Sequence, residues 1–187
     1  NGDSKEARLL NRATQGLYPP GSTFKIVTAL EYMREHPDDY KDFHFDCNGV
    51  YENGDLKIQC YHGTAHGSQD FIQAFANSCN GAFASMGLEL NLERFQKTAG
   101  ELLFGTGQPV TGLPYKQSSF KLEPGADIWE ILQTSIGQGM TQMTPLHNAM
   151  LTAAIANGGV LMKPYLLDSV KSAAGEEMKK FMPASYG

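Results

Sequence analysis

Tyr18-Pro19-Pro20-Gly21 is followed directly by Ser22-Thr23-Phe24-Lys25 and a run of helical character. Two prolines and a glycine stop whatever precedes them, so a helix is predicted from Ser22 toward His36. Ile26, Leu30 and Met33 lie on one stripe, and Pro37 closes the element because the residue before a proline avoids helical geometry. Ser22 at such a start can cap the helix with its hydroxyl, the ordinary role for serine there. Lys25 does not fit so simply. An ammonium in the first turn faces the positive end of the helix dipole, at a cost of a few tenths to about 1 kcal/mol. Residues three apart share a helix face, so the lysine can reach the serine. The dipole together with burial would depress the lysine pKa and let a neutral amine take the serine proton.

The remaining pattern is helix-rich α+β. Phe43, Phe45, Val50-Tyr51 and Leu56 to Ile58 read as extended, with the turn Glu52-Asn53-Gly54-Asp55 as a hairpin signal. Helices are predicted from Asp70 through Phe75, from the far side of Asn77-Ser78-Cys79-Asn80-Gly81 to Leu88, over 92–103 and over 126–135. Phe71, Phe75, Phe83 and Met86 are expected in the core, and Trp129 as a helix anchor. Thr144-Pro145 pairs a capping residue with proline at the first helical position, and Leu146 to Ala156 follow until Asn157-Gly158-Gly159. Val160 to Met162 and Tyr165 to Val170 read as strands. His44 and His147 are expected on surfaces or in quiet packing.

Composition narrows the function classes. The 187 residues carry a formal net charge of −5 with no block of like charges, which argues against a nucleic-acid partner. No run approaches the roughly 18 consecutive apolar residues of a membrane span, and no signal-peptide pattern opens the sequence. The chain begins and ends as a piece of something longer would.

Asn77-Ser78-Cys79-Asn80-Gly81 is the second chemistry-bearing segment. It sets a hydroxyl and a carboxamide two residues apart at an interruption between helices. Ser78 and Asn80 can simply cap and terminate those helices. They can equally pass a proton to a leaving amine and hold a substrate amide.

Taken together, Ser22-Thr23-Phe24-Lys25 and Ser78-Cys79-Asn80 resemble the first two motifs of the penicillin-binding protein transpeptidase family, serine acyl-transferases that cross-link peptidoglycan. Asn11-Arg12-Ala13-Thr14, His66-Gly67, Ser135-Ile136-Gly137-Gln138-Gly139 and Thr144-Pro145-Leu146 also look like the family, in its order. The wording from Tyr18 to Ile26 is similar to the monofunctional class. The resemblance implies that Ser22 is the acylated nucleophile and Lys25 its base. Ser78 would relay protons, Asn80 would hold the acyl donor's amide, and the Ser22 N–H would form half of an oxyanion hole. Gly137-Gln138-Gly139 would be a tight turn lining the cleft. The implied partners are peptidoglycan stem peptides ending in D-Ala-D-Ala and β-lactams. The implied location is the extracytoplasmic face of a bacterial membrane, in a membrane-anchored parent belonging to a cell-wall synthesis complex. Acyl transfer needs no cofactor, and no metal is assigned to the reaction.

The third family motif is the departure. No Lys-Thr-Gly or Lys-Ser-Gly occurs in the sequence, and Lys97-Thr98-Ala99-Gly100 sits in a helical pattern with Leu92, Phe95, Leu102 and Leu103. Residues 1–187 therefore read as a partial transpeptidase domain, the helix-rich part of the penicillin-binding/serine β-lactamase-like fold. Most of the central sheet and the third-motif strand would be missing. Such a piece is expected to acylate poorly or not at all. Two alternatives remain open. A serine β-lactamase would need a deacylation base, for which Glu123 and Glu130 are unplaced candidates. A non-catalytic β-lactam sensor or interaction module is favoured by the missing motif.

The sequence holds three cysteines. Cys47 and Cys60 flank the predicted hairpin, and a disulfide or thiol pair there is the favoured reading. Closing such a loop is worth roughly 3 kcal/mol in the chain-entropy model, and the implied location permits it. Zinc on Cys47, Cys60, His62 and His66 is the alternative, disfavoured because structural zinc sites take cysteines two to four residues apart. Cys79 is expected to point into the site as a small packing residue.

Overall fold

The computed structural model describes residues 10–107 and 113–186. In chain order the elements are α1 (Arg12–Gln15), α2 (Lys25–Glu35), β1 (His44–Cys47), β2 (Val50–Asn53), β3 (Leu56–Gln59), β4 (Gly67–Asp70), α3 (Phe71–Ala76), α4 (Asn80–Glu89), α5 (Leu92–Glu101), α6 (Ile128–Ser135), α7 (Pro145–Ala156), β5 (Ser169–Lys171) and β6 (Glu177–Lys180). The strands pair antiparallel as β1–β4, β2–β3 and β5–β6, so the helix-rich α+β reading is borne out.

The elements group into two units. One comprises Pro19–Gly105 with Ser119–Gln142. Its core is aromatic: the Phe24 ring centroid lies 6.1 Å from that of Phe95, 5.5 Å from Phe104 and 5.8 Å from Phe120. Fully burying such a ring is worth about 1.5–3 kcal/mol, with roughly 0.5–1.5 more for each well-placed aromatic pair. Phe24 thereby anchors the turn that carries Ser22. Helices α4 and α6 approach closely because Gly87 has no side chain: a Cβ there would collide with the Ser135 hydroxyl. Thr28 of α2 donates to the Ser135 carbonyl at 2.9 Å.

The face that α2 buries differs from the predicted stripe. Ile26, Leu30 and Met33 are half-buried, whereas Lys25, Val27, Thr28, Ala29, Glu31 and Tyr32 are fully buried. Buried polar groups escape apolar periodicity because their partners lie elsewhere in the chain; Glu31 accepts from Thr98 and pairs with Arg94 at 3.4 Å. Phe71, Phe83 and Met86 are core as expected, but Phe75 is 43% and Trp129 45% exposed.

The hairpin is present one residue later than predicted. Asn53 pairs with Leu56, so Gly54 and Asp55 form the two-residue loop, with Gly54 at φ 59°. Positive φ at the first loop position is the type II′ arrangement, which selects glycine there.

The other unit comprises Asn1–Tyr18, Thr106–Ser118 and Met143–Gly187. Here α7 starts as its sequence dictates: the Thr144 hydroxyl accepts from the His147 N–H at 3.2 Å, and Pro145 is the first helical residue. His147 is buried, while His44 in the other unit is exposed. The strands predicted over 160–162 and 165–170 are corrected. Met162 makes a single bridge to Ser185, and the ladder runs instead between Ser169–Lys171 and Glu177–Lys180 across a turn at Gly175. Pro164, which has no N–H to donate, separates the two stretches. The second partner, Glu-Met-Lys-Lys, is exposed throughout and carries no apolar alternation.

Candidate active site

Ser22 lies in a 3-10 turn, Gly21–Phe24, that leads into α2. Its hydroxyl does not cap the helix; Thr23 instead donates its hydroxyl to the Pro20 carbonyl at 2.8 Å. The Ser22 side chain is thus exposed and not used for capping, and its N–H lies in a first turn where helix geometry supplies no acceptor. The Gly21 N–H donates to the Gly137 carbonyl at 2.8 Å. Gly137 holds φ 77°, and a Cβ on it would run into the Gly21 carbonyl. The Gly137-Gln138-Gly139 turn is therefore seated against the serine turn.

The Ser78 corner follows the same logic. Asn77 ends α3 and Cys79 caps α4, its sulfur accepting from the Ala82 N–H at 3.5 Å. Neighbours do the capping, so the Ser78 and Asn80 side chains turn to other partners, against the simple capping role open to them in the sequence. Ser78 sits at φ 51°, a left-handed conformation that costs a non-glycine residue of order 1–3 kcal/mol and persists where surrounding structure enforces it. Asn80 donates its amide to the Gln59 carbonyl at 2.9 Å, which aims its oxygen inward.

That oxygen meets Lys25. The Lys25 Nζ donates to Asn80 Oδ1 at 2.6 Å and to the Ser78 carbonyl at 2.6 Å, and lies 3.0 Å from Ser78 Oγ and 3.4 Å from Ser22 Oγ. Its residue is 2% exposed. Burial lowers the Lys25 pKa to about 8, while the Cys79 and Cys60 sulfurs act the other way. Burial, not the helix dipole, is thus the leading cause. The amine also sits 5.5 Å from the Phe83 ring centroid.

The contact set fixes what the amine can do. Two of its four neighbours are carbonyl-type oxygens that only accept, so a neutral amine gives them its two N–H groups. Its lone pair then faces the two hydroxyls, where it can receive a proton from Ser22 or exchange one with Ser78. Ser22, Ser78 and Asn80 line one cleft of about 420 Å³, with His66, Ile136 and Gln138 on its walls. The structure therefore brings together Ser22, Lys25, Ser78 and Asn80.

Other expectations divide. Asn80 grips Lys25 and Gln59 rather than standing free, leaving one amide N–H for a substrate carbonyl. Cys79 is fully buried behind the corner and does not point into the cleft. Lys97 lies on α5, 78% exposed in its side chain and 4.0 Å from Glu101, far from any strand role. Glu123 and Glu130 line a different depression, not the Ser22 cleft. Cys47 and Cys60 are thiols with sulfurs 3.7 Å apart. Sequence reasoning missed Tyr61 beside the cleft, the Gln59 carbonyl and the Phe83 ring against Lys25; a carbonyl or a packing ring leaves no motif to find.

The model of the penicillin binding protein transpeptidase domain matches residues 1–185. The chain belongs to the penicillin-binding protein transpeptidase domain family. Among its relatives in this family, the peptidoglycan D,D-transpeptidase PbpA of Mycobacterium tuberculosis is 32% identical over 173 residues, covering 91% of this chain and 35% of the relative. The chain therefore spans about a third of that protein's length. The ceftriaxone acyl-enzyme complex of M. tuberculosis penicillin-binding protein A superposes with a TM-score of 0.85 at 28% identity, over 99% of this chain and 42% of that one. A complex of PBP2 with MreC from Helicobacter pylori matches at TM-score 0.75 and 28% identity, over 87% of this chain and 31% of that one.

Proposed function

We propose that this chain contributes the nucleophile-bearing part of a peptidoglycan D,D-transpeptidase, acting by acyl transfer through a Ser22 ester. The observation that carries the reading is the Lys25 amine, within reach of both the Ser22 and Ser78 hydroxyls and held by two obligate acceptors. Neutral Lys25 takes the Ser22 proton as Oγ attacks the penultimate carbonyl of a D-Ala-D-Ala stem peptide. The oxyanion forms against the Ser22 N–H. Lys25 then returns the proton through the Ser78 hydroxyl to the departing D-alanine amine, leaving an ester on Ser22. Attack by the amine of a second stem peptide forms the cross-link, and its proton returns to Ser22 by the same relay. The spare Asn80 N–H holds the donor's amide. No cofactor enters this sequence.

A β-lactam presents a strained amide to the same hydroxyl and should leave a lasting ester. The work would lie outside the cytoplasm, where peptidoglycan is, within a cell-wall synthesis complex such as the PBP2–MreC pair suggests. Among the described residues no helix is long and apolar enough to cross a membrane.

These 187 residues hold no Lys-Thr-Gly or Lys-Ser-Gly, hence no second oxyanion donor or cationic wall of that kind. Losing one oxyanion donor costs about 10²–10³ in rate, so residues 1–187 alone are expected to acylate slowly. The decisive measurement is intact mass of the longer protein after fluorescent penicillin. One adduct that vanishes in Ser22→Ala supports the reading, and an adduct that persists undiminished in that variant defeats it. Rapid nitrocefin turnover would instead favour a β-lactamase, and no adduct in the longer protein would favour a non-catalytic module.

A further inference from the structure

Three thiols and one imidazole converge beneath the Ser78 corner. Cys47 ends β1, Cys60 follows β3, His66 precedes β4, and Cys79 lies between Ser78 and Asn80. The Cys47 sulfur is 3.7 Å from that of Cys60 and 3.4 Å from His66 Nδ1, and the Cys60 sulfur is 3.8 Å from that of Cys79. All four donor atoms fall within 4.8 Å of one another, and the three cysteines are buried.

These separations have the dimensions of a metal polyhedron. With zinc–sulfur bonds of about 2.3 Å and zinc–nitrogen bonds of about 2.0–2.1 Å, a tetrahedron has S···S edges of about 3.8 Å and S···N edges of about 3.6 Å. A disulfide would use two of the sulfurs and leave the third thiol and the imidazole unexplained. Cys60 is also nearly equidistant from both possible partners. Cysteine spacing argued against zinc because it ignored the β2–β3 hairpin. That hairpin returns the chain so that the Cys60 N–H donates to the Gly49 carbonyl at 2.9 Å, beside Cys47. The set also differs from the one the sequence suggested, with Cys79 in place of His62.

We propose that Cys47, Cys60, His66 and Cys79 bind one structural zinc ion. Binding exchanges three thiol protons, released to solvent, for three thiolate–zinc bonds, with the imidazole as fourth ligand. Nothing is oxidised or reduced. Four protein ligands close the coordination sphere, so the metal holds no reactive water. Its role is mechanical: it pins the left-handed Ser78-Cys79-Asn80 corner, which grips Lys25, to the ends of β1 and β3. The assignment stands on donor positions and does not depend on acyl transfer, so binding and acylation can fail separately.

The test uses the full-length protein, purified under reducing conditions. Elemental analysis and native mass should give one zinc per chain. The metal-free protein should rebind Zn²⁺ stoichiometrically, and Co²⁺ should produce tetrahedral visible bands with thiolate charge transfer in the near ultraviolet. Cys79→Ser and His66→Ala should each weaken binding by more than the roughly 10–100-fold typical of an outer-shell change, while His62→Ala retains one zinc per chain. Should the variants not fold, chelation of the unmodified protein should lower its melting temperature and zinc should restore it. Reduced metal-free protein that takes up neither ion would overturn the site, as would full zinc retention in folded Cys79→Ser.

Discussion

The Lys25 amine lies 2.6 Å from the side-chain oxygen of Asn80, a residue 55 positions further along the chain. Asn80 is itself held by the Gln59 carbonyl, so the hairpin aims the oxygen that aims the amine. The contact stabilises whichever protonation state donates, but it is neutral and leaves burial to set the pKa. A carboxylate in the same place would behave differently. Asn80→Asp puts a negative charge beside the amine and should raise the pH midpoint of acylation by one to three units, as opposite charges at this range do. The rate of penicillin adduct formation against pH measures it, and an unmoved midpoint would remove Lys25 from the proton path.

With Lys25 lowered to about 8, only about 10% of the amine is neutral at pH 7. Acylation should rise about tenfold per pH unit below 8 and level off above it. The folded pKa of this base lies below its ordinary value of 10.5, so the folded protein holds fewer protons between about 8 and 10.5. Lys25 therefore adds stability as pH rises through that window, and its charged form costs stability below it. Second-order acylation constants from pH 6 to 10 check the first statement, and chemical denaturation over the same range checks the second.

Gly137→Ala should destabilise the protein by about 2–4 kcal/mol, combining a left-handed backbone with a clash in a packed site. Because the collision is with the carbonyl of Gly21, the residue before Ser22, acylation should fall as well as melting temperature. Gly54→Ala tests whether the clash matters: that glycine also has positive φ but nothing lies near its missing Cβ, so only the backbone strain should appear.

Lys97→Ala should leave penicillin labelling of the full-length protein unchanged and shift stability by less than about 0.5 kcal/mol, since its ion pair with Glu101 is long and solvent-exposed. A large loss of labelling would reinstate Lys97-Thr98-Ala99-Gly100 as a functional motif.

Local rules were legible wherever a handful of neighbours decides the outcome. Thr144-Pro145 started α7, Asn157-Gly158-Gly159 ended it, and Asn53-Gly54 announced a hairpin, one residue out of register because only the ladder itself fixes the pairing. Of the β5–β6 ladder only Ser169 and Val170 fell within a predicted strand, because β6 is exposed throughout and its pairing owes nothing to apolar alternation. The polar face of α2 was hidden for the opposite reason: Thr28 and Glu31 are buried against partners that no short window contains.

From the residues alone came the helix that begins at Pro-Pro-Gly, the serine and lysine on its leading turns, and the Ser-Cys-Asn interruption, since backbone restriction and turn chemistry act over three or four positions. Only the tertiary structure decided that Thr23 and Cys79 would do the local hydrogen bonding and leave Ser22, Ser78 and Asn80 to converge on Lys25, that packing would strip water from Lys25, and that four scattered side chains would meet at one point. Desolvation and ligand geometry depend on everything that comes near, and nearness in space is not written in nearness along the chain.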